Sequence, residues 1–388
     1  MAGSSDRILT THVGSLPRPV DLLDAMREKY GGGAYDEAAF QTKVTEAVYD
    51  TVAKQKALGI DIVSDGEQGK LGFYSYVRER LSGFELADPE PMEVTMGRSK
   101  EVRSFPEYYE RYFAKRSGPR IGNSSTPVKC VGPITYQGQV ALETDIANLK
   151  AAMQAAGASE GFMPAVAPRG VGRNEYYKTE EEYVEAVANA MHVEYRAIVD
   201  AGLYVQLDDA WLTSLYGQDD EGDIRARRVQ AERYVEIINH SLRDLPTERV
   251  RFHTCYGINE GPRVYDVPFE EIIGVMLQVD AGAYSFEFGN PRHEHEWRLW
   301  ERFNLPEGKK ILPGVITHST NVVEHPEVVA ERLEKFAAVV GRENVIASAD
   351  CGYSSNASYE ADVPLSVVWE KFKALSEGAA IASKRLWA

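Results

Sequence analysis

The chain has 388 residues, and its 59 Asp plus Glu against 43 Lys plus Arg leave a formal net charge of −16, which lacks the basic footprint that nucleic-acid phosphates require. At 44% hydrophobic and 26% charged residues, with no run near the ~20 apolar residues of a membrane span, the composition excludes disordered, fibrous and membrane-spanning classes. Three cysteines, Cys130, Cys255 and Cys351, are too few and too far apart for a disulfide framework, and Met1 to Pro19 holds no signal-like apolar run, so a reduced, soluble, cytoplasmic protein is expected.

In chain order, short β-rich runs alternate with amphipathic helical segments, the pattern of an α/β fold with a parallel sheet. Ile8 to Ser15 is the first strand candidate; Phe40, Val44, Val48 and Val52 then share one helical face before Gly59, and Asp61 to Glu67 is the second. From Phe73 to Thr126 the chain is interrupted by Pro89, Pro91, Pro106, Pro119 and Gly122, which suits an inserted arm better than a regular βα unit. Val128 to Tyr136 and Gly161 to Ala167 compete for the third strand, and periodicity alone does not choose between them. A capping box opens at Thr179 with Glu182, Val184, Val187, Met191, Tyr195 and Ile198 follow at helical spacing, and Gly202 stops the helix. Further strands are predicted at Leu203 to Asp209, Arg249 to Tyr256, Ala283 to Phe288, Ile311 to Thr317 and Asn344 to Cys351. Pro326 opens a helix carrying Val329, Leu333, Phe336 and Val340 on one face, and Val368, Phe372, Leu375 and Ala379 mark a last one. Seven clear strands and one contested strand predict a (β/α)8 TIM barrel over residues 1–388 as a single domain, with residues 73–126 as an insertion after the second strand. An open doubly wound sheet is the alternative, but the glycines between Asp65 and Lys70 have the wrong spacing for a nucleotide loop.

Polar residues gather at the ends of these strands, where a barrel places its active site. His253 and Cys255 are two residues apart on one strand, so both project from one face. With Cys351 and Glu287 from neighbouring strand ends they form a His, Cys, Cys, Glu set of the kind zinc accepts in tetrahedral geometry. The H-x-C pair alone would equally suit a satisfied strand histidine beside a small buried thiol; ligand types at three separate strand ends favour the metal. Such a site suits thiol chemistry. A free thiol is mostly protonated at neutral pH, whereas the thiolate is the strong nucleophile. Two cysteinates neutralise Zn²⁺, a carboxylate brings the centre to −1, and exchange of Glu287 for a substrate thiolate would keep that charge and leave the sulfur nucleophilic. Elsewhere, His293 and His295 after Pro291 are expected at a solvated helix start, Cys130 as a small buried hydrophobe, and Arg18, Arg78, Arg80, Arg169 and Arg292 as candidate anion contacts.

The strand-end motifs resemble those of the cobalamin-independent methionine synthase family, specifically its catalytic barrel and its epoxyalkane:coenzyme M transferase-like relatives, over most of the chain. Thr10 to Pro17 resembles the family's first-strand motif, Gly132-Pro133-Ile134-Thr135 its third-strand Gly-Pro-Val-Thr, His253-Thr254-Cys255-Tyr256 its zinc-binding H-x-C-Y, and Asp350-Cys351-Gly352 its D-C-G. The resemblance places the third barrel strand at Val128 to Tyr136. It implies a Zn²⁺ cofactor on His253, Cys255, Glu287 and Cys351, and His318 as the proton-donating histidine. It further implies Ser15, Glu67 and Asp208 as contacts to the amino-acid end of homocysteine, with His12 beside them where the family has a threonine. The implied activity is zinc-dependent thiol alkylation, most like methyl transfer from a methyltetrahydrofolate-type donor to homocysteine giving methionine. The partners are then a small thiol and an alkyl donor, without nucleic acid or membrane, in a protein compatible with a homo-oligomer.

The sequence also departs from that pattern. Thr135 is followed by Tyr136, Gln137 and Gly138 rather than by the tryptophan that methionine synthases associate with folate. His12, the run Gly66 to Lys70 and the segment Phe162 to Pro168 look more like the short transferase-type relatives. Alkylation of coenzyme M or another small thiol, and a non-catalytic zinc-binding barrel, are the alternatives.

Overall fold

An inward row of small and apolar side chains on each of eight short strands, and a helical segment after each to cover its outer face, closes the sheet on itself. The computed structural model describes residues 4–88, 99–116, 121, 127–217, 223–257 and 261–388. Its strands are β1 (Leu9–Thr10), β2 (Ile62–Val63), β3 (Phe84–Leu86), β4 (Val128–Cys130), β5 (Glu160–Val166), β6 (Arg173–Asn174), β7 (Tyr204–Asp209), β8 (Val250–Thr254), β9 (Ala283–Phe286), β10 (Lys310–Ile316) and β11 (Ile346–Ala349). The barrel order is β1-β11-β10-β9-β8-β7-β5-β2, with every pair parallel. Its two ends meet where the Asp61 N–H donates to the Thr10 carbonyl at 3.1 Å and Thr11 Oγ1 donates to the Ile62 carbonyl at 3.0 Å. This is the (β/α)8 class expected from the strand and helix alternation.

The third barrel strand corrects the motif-based expectation. It is β5, not Val128 to Tyr136. β5 is a seven-residue run, buried from Gly161 onward. It follows the helix Gln139–Ala156, which ends on Gly157 at φ +65° and packs against the helix Glu37–Ala57. A parallel neighbour of β2 needs a crossover helix packed on the outside of the barrel, and Gln139–Ala156 on Glu37–Ala57 supplies it for β5. β4 instead pairs antiparallel with β3 and parallel with β6 in a separate three-stranded sheet beside the barrel. The Gly132 to Thr135 motif continues from that outer sheet, where Thr135 Oγ1 lies 2.7 Å from Ser82 Oγ. Pro89, Pro91, Pro119 and Gly122 of the inserted segment lie outside the described residues; its described part includes β3 and the helices Lys100–Ser104 and Pro106–Arg116.

Helix ends follow their sequence signals. Thr179 Oγ1 accepts from the Glu182 N–H at 3.1 Å while Glu182 reaches back to the Lys178 N–H, and Pro326 occupies the first turn of Pro326–Val340. Inside the barrel, Ile62, Phe162, Tyr204, Ala283, Leu312 and Ile346 form an apolar floor. Above it the inward positions turn polar, with Gln206 and Ser285 two residues beyond Tyr204 and Ala283 and Arg251 in register with Gln206, all fully buried. Arg251 stacks over Phe162 at 3.8 Å and donates to Thr11 Oγ1 and the His12 carbonyl, tying β8 to β1 across the barrel. Another two residues bring Asp208, His253 and Glu287 to the rim. Among the described residues no helix is long and apolar enough to cross a membrane.

Candidate metal and substrate site

The period of the strand puts His253 and Cys255 on the same inward row at the end of β8, and the chain leaving β11 brings Cys351 beside them. One ligand atom from each, a ring nitrogen and two sulfurs, lies within 4.8 Å of the others, and all three residues are buried. His253 Nδ1 is 3.0 Å from Ser285 Oγ, whereas Nε2 is buried with no hydrogen-bond partner. With the proton on Nδ1 and donated to Ser285, Nε2 presents a lone pair to the thiols. The neighbouring Cys351 thiol, together with His253, draws the Cys255 thiol below its usual range, while the same pairing and burial push Cys351 up. A buried ring nitrogen with no hydrogen-bond partner, set within 4.8 Å of two buried sulfurs, fits a thiophilic divalent ion.

Glu287 falls in a second cluster, whose ligand atoms, from Glu287, His318 and Asp350, also lie within 4.8 Å of one another. Its carboxylate has three polar partners. Oε1 accepts the Tyr256 N–H at 2.8 Å, and Oε2 meets Arg263 Nη1 at 2.8 Å and Asn290 Nδ2 at 3.1 Å. Burial by itself would raise the Glu287 carboxyl, but the Arg263 guanidinium holds it well below the ordinary carboxylate range. Asp350, pushed up by burial and by Glu287, accepts the Phe288 and Gly289 N–H groups at 2.7 and 2.6 Å. Both His318 ring nitrogens are buried without a hydrogen-bond partner, and burial pushes this histidine down to about 4. The ring is therefore neutral at pH 7 and carries one N–H, in contrast to the near-neutral titration of an unperturbed histidine.

A cleft with about 450 Å³ of empty space, its mouth included, leads to the thiols and is lined by Ser15, Glu67, Phe73, Asp208, His253, Cys255 and Cys351 among others. Gly352 lets the chain pass close to Ser15, since a Cβ there would lie 2.0 Å from Ser15 Oγ. Glu67 sits at φ +55° in a tight turn, its N–H donating to Asp65 Oδ1 and its Oε2 3.6 Å from Lys70 Nζ, with no hydrogen-bond partner of its own. Asp208 accepts from Gln206 Nε2 at 2.8 Å, and burial raises its carboxyl. Asp209 serves the helical side instead, taking the Tyr234 hydroxyl and the Trp211 and Leu212 N–H groups.

His12 does not line the cleft. Its Nε2 lies 2.8 Å from Gln55 Oε1, its Nδ1 accepts the Gly14 N–H, and its ring packs on Phe162 and Phe372, so burial takes it down to about 3 and it pins the β1 turn as a neutral ring. Three of the candidate anion-binding arginines are engaged elsewhere: Arg18 on the Glu67, Lys70 and Ser354 carbonyls, Arg80 on Glu194 and Asp145, and Arg292 on the carbonyls of Arg263 and Val264. Arg169 lies over the Tyr234 ring. His293, expected in solvent, is buried between Asp266 and Glu296 and stacks on Tyr256 at 4.2 Å; His295 is exposed. The sequence pattern assigns no role to Arg263, Ser285 or Lys70. Ser285 was recoverable, because it neighbours His253 in the β8 and β9 register.

Comparison with known proteins agrees with this geometry. The family profile "Cobalamin-independent synthase, catalytic domain" matches residues 8–160. A methionine synthase of Sulfolobus acidocaldarius is 25% identical over 346 residues, covering 88% of this chain and 85% of that one. One from Sulfurisphaera tokodaii is 24% identical over 384 residues, covering 97% and 93%. In fold, a B12-independent methionine synthase from Shewanella sp. W3-18-1, solved with selenomethionine, superposes with a TM-score of 0.72 at 22% identity, covering 98% of this chain and 99% of that one. The rim motifs, the profile match over residues 8–160 and the near full-length relatives agree in likening this chain to the cobalamin-independent methionine synthases.

Proposed function

We propose that this protein is a zinc-dependent methyltransferase that methylates homocysteine on sulfur from a methyltetrahydrofolate-type donor. The observation that carries the reading is the His253, Cys255, Cys351 trio at the end of a cleft whose other polar walls are Ser15, Glu67 and Asp208. Zinc held by the trio would favour the thiolate over the thiol of a bound substrate at neutral pH. Asp208 and Glu67 offer carboxylate oxygens to the substrate ammonium, and the Ser15 hydroxyl offers a donor to its carboxylate. His318 keeps a proton on one ring nitrogen, as an N–H donor toward charge that develops on the leaving nitrogen.

Charge separates this reading from alkylation of coenzyme M. Among the described residues lining the cleft there is no Lys or Arg, while Glu67, Asp208 and Asp209 are present. Such a wall attracts an amine and repels a sulfonate. X-ray absorption at the zinc edge tests the proposal. Homocysteine is expected to add a sulfur neighbour to the metal, and coenzyme M is not. Absence of bound zinc, or a spectrum that no thiol alters, removes the proposal; a response to coenzyme M alone transfers it to the other thiol.

A further inference from the structure

The loop that carries His318 joins β10 to the helix Pro326–Val340, and its crest stands in solvent, with Val322 70% exposed. Its first residues are nevertheless buried. Neither ring nitrogen of His318 has a hydrogen-bond partner, so the direction of the ring is set by packing and by the backbone that carries it. One carboxylate ties that backbone down. Glu324 reaches back across the loop, where its Oε1 accepts the Thr317 N–H at 2.8 Å and its Oε2 pairs with Lys371 Nζ at 2.9 Å. Lys371 comes from the last helix, Leu365–Leu386; its side chain is fully buried, and it also donates to the Val322 carbonyl at 2.6 Å. Both of these lysine bonds go to the one loop. On the other side of His318, Thr317 Oγ1 accepts the Ser319 N–H at 3.2 Å and closes the turn around the histidine.

We infer that Glu324 and Lys371 are positioning residues, which together hold the turn at Thr317 so that the His318 ring stays fixed at the rim beside Glu287 and Asp350. A lysine is almost never fully buried without a partner, and here the partner is the carboxylate that binds the backbone one residue before the histidine. Such support matters because a reacting group displaced by about 1 Å can cost on the order of 100-fold in rate. The inference deepens the proposed function and rests on His318 serving there as the proton donor.

NMR of the full chain with isotope-labelled histidine tests it without turnover, the His318 ring signal being the one that disappears in His318→Asn. Wild type is expected to give one sharp His318 signal, and Glu324→Ala to shift or split it while the signal of the distant His12 stays in place. Lys371→Met should act in the same way, and it carries the test should Glu324→Ala fold poorly. In steady state with homocysteine and methyltetrahydrofolate, Glu324→Ala is expected to lower kcat about tenfold or more with KM within about twofold of wild type. Glu324→Gln keeps an acceptor for the Thr317 N–H and should retain more than about a third of kcat. A His318 signal unchanged in both Glu324→Ala and Lys371→Met overturns the inference, and so does a loss carried by KM alone. A general folding defect would displace the His12 signal as well, which also counts against it. If wild type methylates no thiol while the His318 signal responds as expected, the proposed function fails and the positioning of the ring stands.

Discussion

Two buried clusters sit side by side at the rim, and they differ in what they lack. In the first, His253 Nε2 has no hydrogen-bond partner and two buried sulfurs lie beside it. In the second, Glu287 and Asp350 are surrounded by donors: Arg263, Asn290 and three backbone N–H groups. A buried lone pair without a donor is costly unless something fills it, so the first cluster is built to receive an ion. The second already has its counter-charge, and its carboxylates shape the loops around the first. Burial and acidity alone would not have told them apart, and each cluster holds a histidine nitrogen without a hydrogen-bond partner; what differs is the thiols of the first and the donors around the carboxylates of the second.

Removing thiolates should break this contrast most severely. Cys255→Ser and Cys351→Ser are each expected to weaken zinc binding by more than the roughly 10–100-fold that loss of an outer-sphere partner costs. Ser285→Ala removes such a partner from His253 Nδ1 and should fall within that range. Metal content after dialysis against a chelator of graded strength reads both. If Ser285→Ala matched the cysteine variants, the trio would not be the seat of the ion.

The next effect belongs to the cleft wall. Asp208→Asn removes a charge from the proposed ammonium contact, and hydrogen bonds to charged groups contribute about 1.5–3 kcal/mol. The KM for homocysteine should rise on the order of 10–100-fold with zinc content unchanged. The comparison that matters uses 4-mercaptobutanoate, which lacks the amine and should be handled alike by both proteins. An equal loss for both thiols would mean that Asp208 supports the site without meeting the amine.

Much of this was legible in the sequence, for reasons tied to short periods. The two-residue repeat placed His253 and Cys255 on one face, and the capping box at Thr179 and the proline at Pro326 marked real helix starts. The third strand was misplaced because Gly132 to Thr135 carries a familiar motif, whereas β5 is an apolar run that periodicity cannot tell from other buried segments. Arg263 was invisible for a different reason. Its contact with Glu287 depends on a left-handed turn held by Glu101, 162 residues earlier in the chain, and no local pattern encodes that distance. His293 followed a charged, proline-led stretch that reads as solvent-exposed, yet it is buried where Asp266 and Glu296 converge.

That histidine gives the smallest effect and sharpens the picture of the satisfied cluster. Burial alone would lower its pKa, but Asp266, Glu296 and the more distant Glu287 raise it to about 9, with the Tyr256 ring stacked on its face and Arg263 sharing Asp266. A histidine whose folded pKa lies above its unfolded value near ~6.5 stabilises the protein fully below that value and loses the contribution as pH rises through 9. The stabilisation is at most about 3 kcal/mol on this shift, a few degrees in Tm for a chain of this size. Wild type minus His293→Gln, followed by calorimetry across pH 6 to 10, isolates it from other titrations. The difference in Tm should be largest at pH 6 and shrink steadily toward pH 9.5. A difference that grew with pH would mean that His293 is buried neutral, and that Asp266 is held by Arg263 alone.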